Sequence, residues 1–240
     1  MQQALNEPML ELRRSAERGY ADHGWLKSVH TFSLADYVDP KPVEFGPLRA
    51  INEDRVEPGQ GFGTHGYRDM EIVSYVLQGE LAHNDSVGHA STLRPGNVQR
   101  MSASTGVRHS EFNGSATKPV HFLQIWIHPN QADLAPEYEE KAFLVADKRG
   151  RLRLIASPDR TEGSLLIHQD ARVYAGLLDD AATATLNVRP GHRAYVHVAR
   201  GAISVNDTPL QIGAGLKLEG ATALKLNKGQ AAEVLVFDLP

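Results

Sequence analysis

The chain of 240 residues carries 25 Lys and Arg against 29 Asp and Glu, a formal charge of -4, and no cysteine. The missing thiols exclude disulfides, thiolate metal sites and a cysteine nucleophile, so any metal must be held by nitrogen and oxygen from His, Asp, Glu or Tyr. Charges of both signs are scattered with no basic stripe to neutralise phosphates, which excludes direct nucleic-acid binding as a first reading, and the length accommodates one large domain or two small ones.

From the N-terminus onward, Asn6, Glu7 and Pro8 interrupt the chain before an apolar run of signal-peptide length develops, and no later run approaches the roughly twenty apolar residues of a membrane helix; a cytoplasmic, membrane-free protein is expected. Gly59-Gln-Gly61-Phe-Gly63 matches neither a phosphate loop nor a dinucleotide fingerprint and reads as a flexible rim. Short runs rich in Val, Ile, Leu, Tyr and Phe follow at 71–77, 97–101, 120–127, 194–198 and 233–237. Turn signals at Gln78-Gly79, Asn84-Asp85, Pro95-Gly96, Asn113-Gly114, Pro190-Gly191 and Asn206-Asp207 separate them, which predicts an all-β sandwich or barrel. The 120–127 run is apolar at both parities, as in a central strand; Gln124 and Trp126 share one face, and a buried amide at Gln124 needs partners, so that face borders a polar cavity. The best helix candidate, 136–143, is short and lies in a polar stretch, where it reads as part of a linker between two β domains.

Two segments carry chemistry: Gly63-Thr-His65-Gly-Tyr67-Arg-Asp-Met-Glu71 and Thr105-Gly106-Val-Arg-His109-Ser-Glu111. A two-residue spacing in a strand points both side chains at one face, so His65, Tyr67, His109 and Glu111 can meet in one cavity. Two imidazoles with a carboxylate suit non-haem iron. Three readings of Tyr67 stand open: a phenolate ligand, a protonated donor beside the metal, or a plug in a dead site. His23 and His30 are expected to fix the N-terminal segment by hydrogen bonds. His83, His89 and His192 sit in turn-like polar contexts and are expected to be solvated; His121 and His197 are expected as structural strand histidines, and His128 carries no role. Laying 71–79 over 193–201 reveals a weak internal repeat, in which Asn187 and Arg189 take the places of His65 and Tyr67.

The first segment, followed by a glycine turn, Pro95-Gly96 and a later histidine, resembles the two motifs of the cupin superfamily. Longer stretches narrow the resemblance: His23-Gly-Trp25, His30-Thr-Phe-Ser33 with Asp36-Tyr37 and Asp39-Pro40, Asp69-Met-Glu-Ile72, Met101-Ser-Ala with Thr105-Gly106, His109-Ser-Glu111, Gln124-Ile-Trp126 and Phe237-Asp-Leu-Pro240 together resemble the pirin family. The resemblance implies a bicupin, two β-barrels face to face, with one iron-type metal in an N-terminal domain, 1–130, and a degenerate C-terminal domain, 141–240. It implies quercetin 2,3-dioxygenase activity on a small aromatic substrate, with His65, His109 and Glu111 as ligands and Glu111 also as base. By the same resemblance Glu71 is structural. Where the family pattern reads His-Pro-His, this chain reads His65-Gly66-Tyr67, so the metal can be lost. The alternative reading is then a catalytically weak pirin that binds a protein partner as a regulatory or redox-sensing module.

Overall fold

Alternation of apolar and polar side chains sets the architecture. In Val107–Asn113 the odd positions Val107, His109, Glu111 and Asn113 are buried while Arg108 and Phe112 face out, so the strand delivers both metal-type side chains to the interior. Leu81–Asp85 repeats the device with Leu81, His83 and Asp85 turned in. Val120–Ile127 is buried at nearly every position, as its two-sided apolar pattern predicts. The computed structural model describes residues 8–33, 37–40 and 43–240; Asn6, Glu7 and Asp36 of the sequence reading lie outside the described residues.

The chain divides into two units. The first comprises Arg18–Leu144 and Ser157–Gln169. It holds a four-stranded sheet in the order Gly61–Tyr67, Val107–Asn113, Leu81–Asp85, Ala90–Leu93. Its larger sheet runs Glu137–Ala142, Asn97–Ser102, Glu71–Gln78, Val120–Ile127, Leu48–Val56, Leu26–His30, Gly19–Asp22. The second comprises the described residues up to Glu17, Val145–Ala156 and Asp170–Pro240. In it Met9–Arg13, Gly215–Glu219, Arg193–Val205, Ala223–Leu239 and Arg172–Leu178 pair in that order around a core that includes Val196, Leu216, Leu224, Leu226 and Val236. Sequence reading starts the first domain at residue 1, whereas the ladder Met9–Arg13 forms with Gly215–Glu219 groups the described residues before Arg18 with the second unit. No helix among the described residues is long and apolar enough to cross a membrane.

The turn signals fall between strands or at their ends, except Asn84-Asp85, which lies within the strand Leu81–Asp85. Gly79 has φ of 81°, and a Cβ there would lie 2.6 Å from the Pro119 carbonyl oxygen, so this turn demands glycine. Two expectations change. Residues 137–142 form a strand, not a helix: Glu137–Ala142 pairs with Asn97–Ser102, and Glu137 and Glu139 each lie 3.2 Å from the fully buried guanidinium of Arg100. The two carboxylates compensate a buried cation, and their period-two spacing wins over local helix propensity. Gly61-Phe-Gly63 is likewise the start of a strand, Gly61–Tyr67, rather than a loose rim. A Cβ at Gly61 would sit 2.3 Å from the Glu111 carbonyl oxygen, so its missing side chain lets the two strands close.

Candidate metal centre and its cavity

Strand register brings the candidate residues together. Val107–Asn113 lies between Gly61–Tyr67 and Leu81–Asp85, with His109 opposite both His65 and Asp85, and Glu111 opposite both Phe62 and His83. Between these pairs Gly61–Tyr67 carries one extra residue, a bulge that re-aims His65.

His65 Nδ1 is 2.8 Å from the Gly63 carbonyl oxygen, which can only accept, so Nδ1 carries the proton and Nε2 a lone pair. That Nε2 lies 3.0 Å from His109 Nε2. His109 is 1% exposed, and burial, with His65 and His83 adding to it, pushes its pKa down to about 3, so the ring stays neutral. Its Nδ1 is buried with no hydrogen-bond partner. A neutral imidazole carries one N–H, and either placement of it leaves a defect: a bare buried Nδ1, or an orphaned donor with two Nε2 lone pairs face to face. A cation shared by the two Nε2 atoms removes that repulsion, so the donor set fits a borderline transition metal.

Glu111 completes the set, with its Oε2 3.9 Å from His109 Nε2. It receives hydrogen bonds from Ser74 Oγ at 3.3 Å and Gln124 Nε2 at 2.5 Å. The indole N–H of Trp126 donates to Gln124 Oε1 at 3.1 Å, which fixes the amide with its nitrogen toward Glu111. Burial pushes the Glu111 carboxyl up to about 7; the Ser74 and Gln124 hydrogen bonds oppose the shift and the charge of Asp54 adds to it. The expectation that Gln124 borders a polar cavity is met.

Tyr67 sits edge-on to His65, His109 and Trp126, with ring centroids at 5.1, 5.2 and 5.1 Å. Burial raises its pKa well above the ordinary phenol value, and the carboxylates of Glu111 and Asp54 raise it further. Both effects favour the phenol over the phenolate.

His83 corrects the sequence reading. Rather than solvated it is 2% exposed, and its ring centroid lies 5.3 Å from that of His109. His83, His109 and Glu111 place donor atoms within 4.8 Å of one another, a second three-donor set that shares two members with the first. Its nitrogens are already engaged, Nε2 with Asp85 at 3.3 Å and Nδ1 with Gln99 at 3.4 Å, and Tyr138 stacks on its ring. The missed signal is His83-Asn-Asp85, the same two-residue spacing that marks the other two strands. His192 is also withdrawn from solvent, 3.0 Å from Asp238, while His89 is partly exposed and bonded to Asp85 at 3.0 Å. Arg189, the repeat counterpart of Tyr67, lies 2.7 Å from Asp238 and so forms an ion pair.

Glu71 and the remaining histidines are placed as follows. Glu71 accepts a hydrogen bond from Ser102 at 2.9 Å, His121 is paired with Glu53 at 2.9 Å, and His197 is buried in a strand. His128 lies near the surface beside Glu44. His30 bonds Asn52 at 3.0 Å, and both line a cavity of about 460 Å³ with His65, Tyr67, Glu111 and Trp126. On the same wall Ser28 donates to Asp54 at 2.5 Å. Burial lifts the Asp54 carboxyl to about 7, the Ser28 hydrogen bond opposing and Glu53 adding. Neither Ser28 nor Asp54 belongs to a recognisable motif in the sequence.

Comparison with known proteins follows this geometry. The Pirin family model matches residues 11–127, and the model for the quercetinase C-terminal cupin domain matches residues 154–239. The chain is 42% identical over 232 residues to the quercetin 2,3-dioxygenase of Escherichia coli O157:H7, covering 97% of this chain and 99% of that protein. The crystal structure of the bacterial pirin YhhW from Escherichia coli in complex with nickel(II) superimposes with a TM-score of 0.92 at 42% identity, over 97% of this chain and 99% of the other. YhaK from Escherichia coli is more distant, with a TM-score of 0.75 at 28% identity over 92% of this chain and 98% of that one. The two β units are the cupin domains of a bicupin, and the chain belongs to the pirin family.

Proposed function

We propose that the protein is a metal-dependent dioxygenase of the quercetin 2,3-dioxygenase type, cleaving a flavonol or a similar enol-bearing aromatic with dioxygen, and that His65, His109 and Glu111 hold the metal. The observation that carries this reading is the approach of His65 Nε2 and His109 Nε2 to 3.0 Å beside the buried Glu111 carboxyl. The relative named as a quercetin 2,3-dioxygenase and the nickel-bound pirin support it. His65 is favoured over His83 because its Nε2 carries a lone pair free of other partners. Iron is the metal that two imidazoles and one carboxylate suit best, and nickel(II) is an alternative that such nitrogen ligands also accept.

The metal supplies Lewis acidity, which lowers the pKa of a substrate hydroxyl. The chain does the rest. Glu111 is the candidate base for the hydroxyl proton, and Ser74 and Gln124 hold its carboxyl in place. Tyr67, kept as a phenol, offers a hydrogen bond to the oxyanion that results. Phe62 and Trp126 furnish apolar surface for a flat ring system.

Reconstitution with iron(II) or nickel(II), followed by metal analysis and oxygen uptake with quercetin, tests the proposal. Near-stoichiometric metal and turnover that disappears in Glu111→Gln are expected. Absence of both metal and turnover leaves the protein-binding, regulatory reading instead.

A further inference from the structure

One buried carboxyl in the cavity is not used by the chemistry above. Asp54 is 4% exposed, and its Oδ1 accepts the Ser28 hydroxyl. Its Oδ2 has no hydrogen-bond partner among the described residues, and Asp54 lines the cavity. Among the described residues no ion pair is formed with it: Arg18 and Arg55 both pair with its neighbour Glu53, whose side chain alternates to the other face. That oxygen opens on the cavity, where solvent can reach it, so an occupant that displaces solvent from it must donate a hydrogen bond in its place or leave the carboxyl uncompensated.

Register shows where that donor would sit. Ser28 lies opposite Asp54, and His30 opposite Asn52, along Leu26–His30 and Leu48–Val56; Asn52 in turn lies opposite Gln124, which holds Glu111. The interior of the larger sheet thus has two polar stations on one face: Gln124 with Glu111 at the metal end, and Asp54 on its Ser28 seat two residues along the neighbouring strand. Phe62 and Trp126 line the same cavity as aromatic surface. An occupant that fits is flat, apolar on its faces and hydroxylated at more than one edge. An anionic occupant is disfavoured, because the cavity already presents the carboxyl groups of Glu111 and Asp54.

We propose that Asp54 Oδ2, held by Ser28, accepts a hydrogen bond from a second hydroxyl of the substrate, remote from the one at the metal end, so that the cavity selects polyhydroxylated aromatics over singly hydroxylated ones. The proposal rests on the functional reading above, in that it takes the occupant to be a hydroxylated aromatic. Asp54 is a specificity residue, and no step of bond cleavage depends on it.

The test reads binding rather than turnover. Metal-reconstituted protein is titrated without oxygen with quercetin and with 3-hydroxyflavone, which lacks the additional hydroxyls, and the dissociation constants are compared. Asp54→Asn replaces a charge-assisted hydrogen bond by a neutral one and is expected to weaken quercetin about tenfold while leaving 3-hydroxyflavone within about twofold. Ser28→Ala keeps the carboxyl but frees it from its seat; it is expected to weaken quercetin several-fold and to spare 3-hydroxyflavone, which provides a reading if Asp54→Asn does not fold. Equal losses for both ligands, or no loss for either, in the variants that fold overturn the role of Asp54 while the enzyme reading stands if quercetin is turned over. Failure of both flavonols to bind the parent protein overturns the two together.

Discussion

The two cupin domains pair comparable strands but fill the paired positions with opposite chemistry. In the first, His109 faces His65 and Glu111 faces His83 across the ladder. In the second, Leu224 faces Leu186 and Leu226 faces Ala184, and Leu224 and Leu226 belong to a continuous apolar core. Each buried Leu there contributes roughly 1.5–3 kcal/mol to folding. In the first domain the same kind of position is occupied by a neutral imidazole with an orphaned nitrogen and by a carboxyl whose pKa burial has lifted to about 7. The difference shows how one barrel can keep polar, titratable groups inside: the cost falls on local stability, and an occupant that coordinates them or donates to them would offset it.

Four experiments probe this contrast. His109→Ala should lower metal affinity by more than about 100-fold, beyond the range typical of residues that merely support a ligand. Calorimetric titration with nickel(II) checks it, and the same substitution should cost less folding stability than truncating the second core. Leu226→Ala is that truncation: it should destabilise the second domain by about 2–5 kcal/mol in urea unfolding and leave metal uptake intact.

The third experiment is a pH series on chelator-treated protein. Glu111 titrates at about 7 when folded, against roughly 4.3 when unfolded, so the unfolded chain loses its proton first as pH rises. The stabilising contribution of the neutral carboxyl is therefore complete below about pH 4 and lost as pH rises through 7. Glu111→Gln should accordingly be more stable than the parent at pH 8, by on the order of 1–3 kcal/mol, with the advantage shrinking toward pH 4. An advantage that does not change with pH would show that Glu111 is not the titrating group. The smallest effect concerns Tyr67→His, which supplies a third imidazole as a fourth candidate ligand beside His65 and should tighten metal about tenfold. Oxygen uptake with quercetin that appears only in this variant would favour the non-enzymatic reading of the natural protein.

Much of the site could be read from spacing. His65 with Tyr67 and His109 with Glu111 are two apart, and the alternation that buries Val107, His109 and Glu111 is a property of the strand itself. The same reasoning applied to His83 and Asp85 would have placed them inside, but their neighbours Asn84-Asp85 also make a turn signal, and that local signal masked the strand. Asp54 and Ser28 carry no pattern at all. They are linked only because Leu26–His30 lies beside Leu48–Val56, a pairing of residues 26 positions apart. Residues 137–142 look helical or linker-like until the buried guanidinium of Arg100 is brought beside them.

Period-two alternation and residue chemistry act within a few residues, so the β architecture, the inward face of the strands that carry the candidate ligands and the absence of matching histidines from the second half were all legible in the sequence. Only the folded chain shows that His65 and His109 meet nitrogen to nitrogen, that His83 stands behind them, that Tyr67 packs edge-on against both imidazoles and that Asp54 opens on the cavity. Those facts depend on strand register and on burial, which arise only when segments distant in the chain are brought together.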